Sequence, residues 1–348
     1  MPSNIVLVTG VAGDLGGKLL ARLGNNPGFE RVIGVDTAPP AKSVLQRMGN
    51  AEFVRADIRN PLIAKVISTA EVDTVVHTSC TAHPAGPSRR AAVKEVNVIG
   101  TMRLLAACQR SPLVRKLVVK SSAAVYGAGA RSQAVFNEDS ELIPASSSGY
   151  AKDAVEMEGY VRGLARRRPD ITVTLCRFAN IIGPEVDTVL SRYFALPVIP
   201  TVFGYDARLQ LLHASDALSV LELSTLEDHP GVFNVASEGV LTLSQAIRRA
   251  GRVGLPMPSA VVPSVGKVLR GARVVDFSAD QVRLLNFGRV VDTTKLKQEF
   301  GFTPRWTTRE AFDDYVAGRG LRPVLDGGRL AGLAGKVLVA AATGQASR

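Results

Sequence analysis

The chain has 348 residues, 46% of them hydrophobic and 21% charged, with a formal net charge of +11. That length suits one large domain with a smaller one attached, and the composition is that of a globular protein. No apolar run approaches the ~18 residues of a spanning helix, and the basic excess is shared almost evenly between the two halves, so neither an integral membrane segment nor a nucleic-acid partner is expected.

The first strand is predicted from Ile5, which leaves no room ahead of it for a signal peptide and points to a cytoplasmic protein. Short β-branched runs at 5–8, 31–35, 51–54, 74–77 and 116–119 alternate with helical patterns at 15–24, 41–48, 62–69 and 89–110. A helix over 150–167 and a strand over 171–176 continue the rhythm, and 233–236 supplies one more strand. This is the pattern of an α/β, Rossmann-type doubly wound parallel sheet. Beyond Asn180 the alternation breaks into pieces punctuated by Pro and Gly, as expected of a smaller mixed C-terminal substrate domain. The division is therefore 1–180 for the nucleotide-binding domain, with a strand near 205–236 returning to it, and 181–348 mainly for the substrate domain and tail. The basic stretches at 256–273 and 328–336 read as solvated surface, with a membrane or partner contact as the alternative.

The first strand runs into Thr9-Gly10-Val11-Ala12-Gly13-Asp14-Leu15-Gly16 and then a helix. In such a turn Gly10 permits the tight bend, Gly13 lets the backbone approach a pyrophosphate, and Gly16 lets helix and strand pack closely. The helix N-terminus then faces the phosphates. Asp36, ending the second strand, is placed to accept hydrogen bonds from ribose hydroxyls and to repel a 2′-phosphate, which favours NAD over NADP. Asp14 is expected to point to solvent, away from the phosphates. Asp57 and Ile58, at the end of the third strand, read equally as an adenine contact and as turn chemistry. Leu15 and Thr78 join the expected cofactor set, as do Asn97, Tyr150 and Phe178 through the segments below.

Further segments carry a resemblance. They are Val96-Asn97-Val98-Ile99-Gly100-Thr101, Ser121-Ser122-Ala123-Ala124-Val125-Tyr126-Gly127, Gly149-Tyr150-Ala151-Lys152, Arg177-Phe178-Ala179-Asn180, Phe203-Gly204, His213-Ala214-Ser215-Asp216 and Asp292-Thr293-Thr294-Lys295. In this order the chain resembles the extended short-chain dehydrogenase/reductase family, in particular its NAD-dependent epimerase/dehydratase branch and the UDP-glucose 4-epimerase-like members. The resemblance implies transient oxidation of a secondary hydroxyl on a nucleotide-linked or related sugar. It makes Tyr150 the acid/base and has Ser122 hydrogen-bond the reacting hydroxyl. Asn97 would tie the sheet to the active-site helix, and Phe178 would lie near the nicotinamide. Asn180, Phe203 and Arg208 would read the substrate. A homodimer through the helices at 89–110 and 150–167 is also implied.

Two positions depart from that family. A phenol with a pKa of ~10 needs a nearby cation to act as a base, and the family places a Lys four residues after the Tyr, where this chain has Ala154. Lys152 sits about 200° round the helix from Tyr150. The family's diphosphate-contacting Arg falls at Leu209, and the neighbouring Arg208 would face the opposite side of a strand. These departures motivate an alternative, a catalytically weak NAD- or ligand-binding regulatory or scaffold protein. Cys80, Cys108 and Cys176 lie in apolar segments without ligand spacing, so neither disulfide nor metal is expected. His77 and His213 read as satisfied core or loop histidines, and Arg166 to Arg168 as a helix end complementing the dipole.

Overall fold

The computed structural model describes residues 4–79, 87–142, 149–258 and 279–324. Cys80, the 328–336 stretch and most of 256–273 lie outside them.

The chain runs β1 (Ile5–Thr9), α1 (Asp14–Gly24), β2 (Arg31–Asp36), α2 (Lys42–Leu45), β3 (Ala51–Arg55), α3 (Leu62–Thr69) and β4 (Thr74–His77). Next come α4 (Pro87–Lys94), a π turn (Glu95–Gly100), α5 (Thr101–Arg110), β5 (Lys116–Ser122), a 3₁₀ turn (Ala123–Tyr126), α6 (Tyr150–Arg167) and β6 (Thr172–Phe178). The later part holds β7 (Asn180–Ile182), α7 (Val189–Ala195), β8 (Val198–Val202), β9 (Arg208–Leu209), β10 (Leu211–His213), α8 (Ala214–Leu226) and β11 (Gly231–Val235). It ends with β12 (Leu241–Thr242), α9 (Leu243–Arg249), β13 (Val253–Met257), α10 (Ala279–Phe287), α11 (Thr294–Gln298) and α12 (Thr308–Gly318).

Seven strands form one parallel sheet in the order β11-β6-β5-β4-β1-β2-β3. Alternation within each strand divides the side chains between two faces. Leu7, Ile33, Val75, Leu117 and Val119 pack with Ile63 of α3, Leu104 of α5 and Met157 of α6. Val6, Val8, Val32, Val76 and Val118 pack with Leu19 and Leu23 of α1 and Val220 and Leu221 of α8. Both faces are covered, which is why the strands read as nearly continuous apolar runs. Chain order reverses between β1 and β4, and in such sheets the ligand crevice opens at the carboxyl ends of the strands around that point.

Beyond β6, β11 returns to the sheet, and the other described strands pair two by two: β7 with β10, β9 with β12 and β8 with β13. A third apolar cluster gathers Phe194, Leu209, Leu211, Ile247 and Phe312 from these pieces. The broken sequence rhythm after Asn180 corresponds to this patchwork.

Three elements differ from the sequence expectation. The helix expected over 41–48 covers only Lys42–Leu45, because the chain turns to let Asn50 N–H bond the Gly24 carbonyl. The helix expected over 89–110 is interrupted by the π turn, within which Gly100 lies flat against Ile58. The strand after α6 runs on to Phe178, in register with Ser122.

Candidate active site

The glycine loop takes its shape from close backbone contacts. Gly10 has φ +82°, a left-handed conformation that suits glycine, and donates its N–H to the Val35 carbonyl at 3.1 Å. A Cβ at Gly16 would stand 2.3 Å from the Gly10 carbonyl oxygen and 2.5 Å from Thr78 Oγ1. Thr78 closes the loop from below, donating its hydroxyl to the Thr9 carbonyl at 2.6 Å. No side chain caps the N-terminus of α1 at Gly13, so the backbone donors of its first turn face the crevice without a capping partner.

Asp36 sits beside this loop. Its Oδ2 accepts the Ala12 N–H at 3.0 Å and its Oδ1 the Thr37 N–H at 2.7 Å. The carboxylate therefore fixes the loop's conformation, and its remaining lone pairs suit sugar hydroxyls. Asp14, at the edge of the loop, pairs with Lys18 at 2.9 Å, which in turn reaches Glu185. Asp57 is gripped by Arg59 through backbone and guanidinium, and the guanidinium holds its carboxyl below the usual range. Ile58 is buried in the core under Gly100. The structure thus keeps Asp57 and Ile58 off the walls of the cavity the glycines line.

Two cavities meet at the carboxyl end of β5. The first, of about 300 Å³, is lined by Gly10, Gly13, Asp14, Leu15, Gly16, Thr78, Lys120 and Phe178. The second, of about 520 Å³, is lined by Gly127, Arg131, Asp280, Arg283, Phe287 and Arg289. Ser122, Tyr150 and Asn180 belong to both. Ser122 Oγ accepts the Ala124 N–H at 3.1 Å and so caps the 3₁₀ turn, leaving its own proton to donate into the cavity. Capping the turn thus does not take this serine off the cavity walls.

The loop carrying Ser122 rests on a buried network. Ser121 donates to Glu158 Oε1 at 2.6 Å, Arg177 pairs with Glu158, and Arg177 also donates to the Tyr126 hydroxyl at 2.8 Å. Tyr126 donates to Asn234 Oδ1 at 2.7 Å, tying β11 to the same loop. Asn97, buried in the π turn, reaches Asp153 of α6 at 3.4 Å. Ala154 lies wholly buried among Ala123, Val125, Tyr126, Phe136 and Val291.

Alternation separates the two candidates for the missing diphosphate clamp. Leu209 is buried in the third cluster, while Arg208 is exposed and donates to the Ala134 carbonyl at 3.1 Å. Neither lines either of these two cavities. Arg289, which bridges to Leu209 on the neighbouring strand segment, does line the second one, anchored by Nε donating to the Gly127 carbonyl at 2.8 Å. Burial draws its guanidinium below the usual value, while Asp280 and the Tyr150 hydroxyl pull the other way. Phe203 is 76% exposed and stands apart from both cavities.

Lys120 and Arg289 were not singled out in the sequence. Alternation from Ser122 back to Lys120 places both on one face and was a legible signal, whereas the bridge that brings Arg289 alongside Leu209 has no local signature. His77 is buried between Thr9 Oγ1 and Thr101 Oγ1, each at 2.8 Å, and its pKa falls to about 4 through burial and the nearby Lys120. His213 bonds Ser215 and Asp314 and stacks on Trp306. Arg168 bonds Asp170 and the carbonyls of Gln109 and Ser111 at the end of α5. These three have structural partners, as their sequence settings suggested. Among the described residues no cluster of three His, Cys, Asp or Glu could hold a metal ion, and no helix is long and apolar enough to cross a membrane.

The glycine cradle, the uncapped α1 N-terminus and Asp36 together fit a dinucleotide. The model of the NAD dependent epimerase/dehydratase family matches residues 6–236. An uncharacterized protein of Mycobacterium tuberculosis, Rv0501, is 51% identical over 335 residues, which cover 96% of this chain and 89% of that protein. Among solved structures, UDP-glucose 4-epimerase from Thermotoga maritima with UDP-glucose superposes at a TM-score of 0.69 with 22% identity, covering 90% of this chain and 98% of that one. UDP-glucuronic acid 4-epimerase from Bacillus cereus in complex with NAD gives 0.67 and 19%, covering 90% and 98%. At such identities the structural likeness speaks for the fold, a seven-stranded Rossmann-type sheet. With NAD as the cofactor that the glycine groove accommodates, the chain belongs to the NAD dependent epimerase/dehydratase family.

Proposed function

We propose that the protein is an NAD-dependent epimerase or dehydratase that transiently oxidises a secondary hydroxyl on a nucleotide sugar or a related sugar. The observation that supports this reading is the shared wall: Ser122 and Tyr150 line both the glycine-lined cavity and the larger one beside it. A sugar in the larger cavity and a nicotinamide in the smaller one would both border these hydroxyls. Bound NAD supplies a reversible hydride acceptor. The chain's own groups handle the proton: Ser122 donates a hydrogen bond to the sugar hydroxyl, and the Tyr150 phenolate takes that hydroxyl's proton as the C–H hydride leaves, then returns it on reduction.

Three guanidinium-bearing residues, Arg131, Arg283 and Arg289, line the larger cavity, and guanidinium suits the diphosphate of a nucleotide sugar. Arg289 thereby replaces Arg208 as the favoured anion contact. The assignment of 181–348 mainly to substrate binding follows the third apolar cluster. A second copy of the chain is proposed to pair through α5 and α6, where Met102 and Tyr160 are exposed.

The test is to assay purified protein for bound NAD and to incubate it with UDP-, GDP- and dTDP-sugars. Reduced cofactor, or an epimerised or dehydrated sugar, is the expected result. Retained NAD with no reduction and no product across the panel would overturn the enzyme reading and leave a ligand-binding regulatory role.

A further inference from the structure

A phenol needs a positive neighbour to ionise near neutral pH. Helix α6 offers none one turn beyond Tyr150, since Ala154 is buried among apolar side chains, and Lys152 lines neither cavity.

Strand β5 offers another source. Lys120 lies two residues before Ser122, so alternation sets both on the same face of the strand, while Ser121 between them turns to Glu158 of α6. Lys120 is half-buried and lines the glycine-lined cavity together with Ser122, Tyr150 and Phe178. Among the described residues lining that cavity it is the only Lys or Arg. We propose that Lys120 is the positioning cation of this active site, an ammonium delivered from the central sheet that favours the Tyr150 phenolate and helps hold the cofactor. The cation is thus moved from the active-site helix to the strand beneath the cofactor.

This inference rests on the reading of Tyr150 as the acid/base. Other charged or titratable groups face the same region. Asp14 and Asp187 line the cofactor cavity, and Asp14 is paired with Lys18. His77 on β4 is neutral, its proton affinity lowered by burial and then by Lys120 itself. Asp153 of α6 meets Asn97. Arg289 is the rival cation: it lies across Tyr150 in the larger cavity, with Asp280 of α10 lining the same space.

The experiment uses the full-length protein without substrate. The ionisation of Tyr150 is read as the phenolate absorbance difference between each protein and the same protein carrying Tyr150→Phe. Lys120→Met is expected to move the Tyr150 midpoint upward by at least about one pH unit, with Lys120→Arg close to the parent. NAD affinity, measured by calorimetric titration, should fall about tenfold in Lys120→Met and recover in Lys120→Arg. Lys120→Gln replaces the Met variant should that one fail to fold, with thermal melting as the control. A Tyr150 midpoint unchanged by loss of the Lys120 charge overturns the proposal, and so does a midpoint that moves with Arg289→Gln instead. The function reading fails separately, by a parent protein that neither binds NAD nor turns over sugars while Tyr150 still titrates with Lys120.

Discussion

Arg177 Nη2 and Glu158 Oε2 meet at 2.7 Å in the interior, where the two side chains are 3% and 0% exposed. The pair joins β6 to α6 and, through Tyr126 and Ser121, braces the loop that presents Ser122. Removing one partner leaves a buried charge uncompensated. Glu158→Ala is expected to lower unfolding free energy by about 3–5 kcal/mol in denaturant titrations. The double replacement Glu158→Leu with Arg177→Met should recover much of that loss; a double variant as unstable as the single one would contradict this account.

Gly16→Ala sets a steric test of the cofactor loop. The added methyl would sit 2.3 Å from the Gly10 carbonyl oxygen, a backbone atom that cannot swing aside. A cost of about 1–3 kcal/mol in stability is expected, together with NAD binding weakened about tenfold or more by calorimetry. Parent-like affinity would mean that the loop accommodates a side chain.

Asp36→Ala removes the acceptor for the Ala12 N–H and the charge that repels a 2′-phosphate. The ratio of NADP to NAD affinity should rise. Undiminished preference for NAD in parallel titrations would take selectivity away from Asp36.

His77 makes stability depend on pH. Its pKa is about 4 in the fold, against 6.5 for the free side chain. Because the unfolded chain takes up the proton first, the His77 contribution is complete above about 6.5 and declines as pH falls toward 4, by up to about 3 kcal/mol. His77→Gln should flatten that acid limb in urea titrations run across the window. An identical slope in parent and variant would assign the acid sensitivity elsewhere.

The proposed pairing of two copies is checked by sedimentation. Met102→Glu combined with Tyr160→Glu places charge on the exposed parts of α5 and α6, and a dimeric parent should become a monomer. A variant that stays dimeric would move the interface to another face.

Period-two and helical patterns made the sheet and its flanking helices readable, because every strand from Ile5 to Phe178 carries its own apolar signature. The glycine loop was equally plain, its spacing being local, whereas Ser122 and Tyr150 were put forward by the family resemblance. The π turn was hidden: it ends where Gly100 meets Ile58 from a distant part of the chain, and nothing near residue 95 announces it. Ile58 illustrates a limit of another kind: the sequence left it open between an adenine contact and turn chemistry, and its burial under Gly100 depends on a residue far along the chain. Arg289 was invisible for the same reason as the π turn, its place being set by a bridge to Leu209 eighty residues earlier in the chain.

Tyr150 forms part of two walls, one for each compartment. With NAD on one side and a sugar on the other, as proposed, occupancy of the two compartments is expected to be thermodynamically linked. Whatever factor NAD lends to sugar affinity, the sugar must return to NAD. Under the proposed function, a tightly held ketone would then keep the reduced cofactor in place until its hydride is returned.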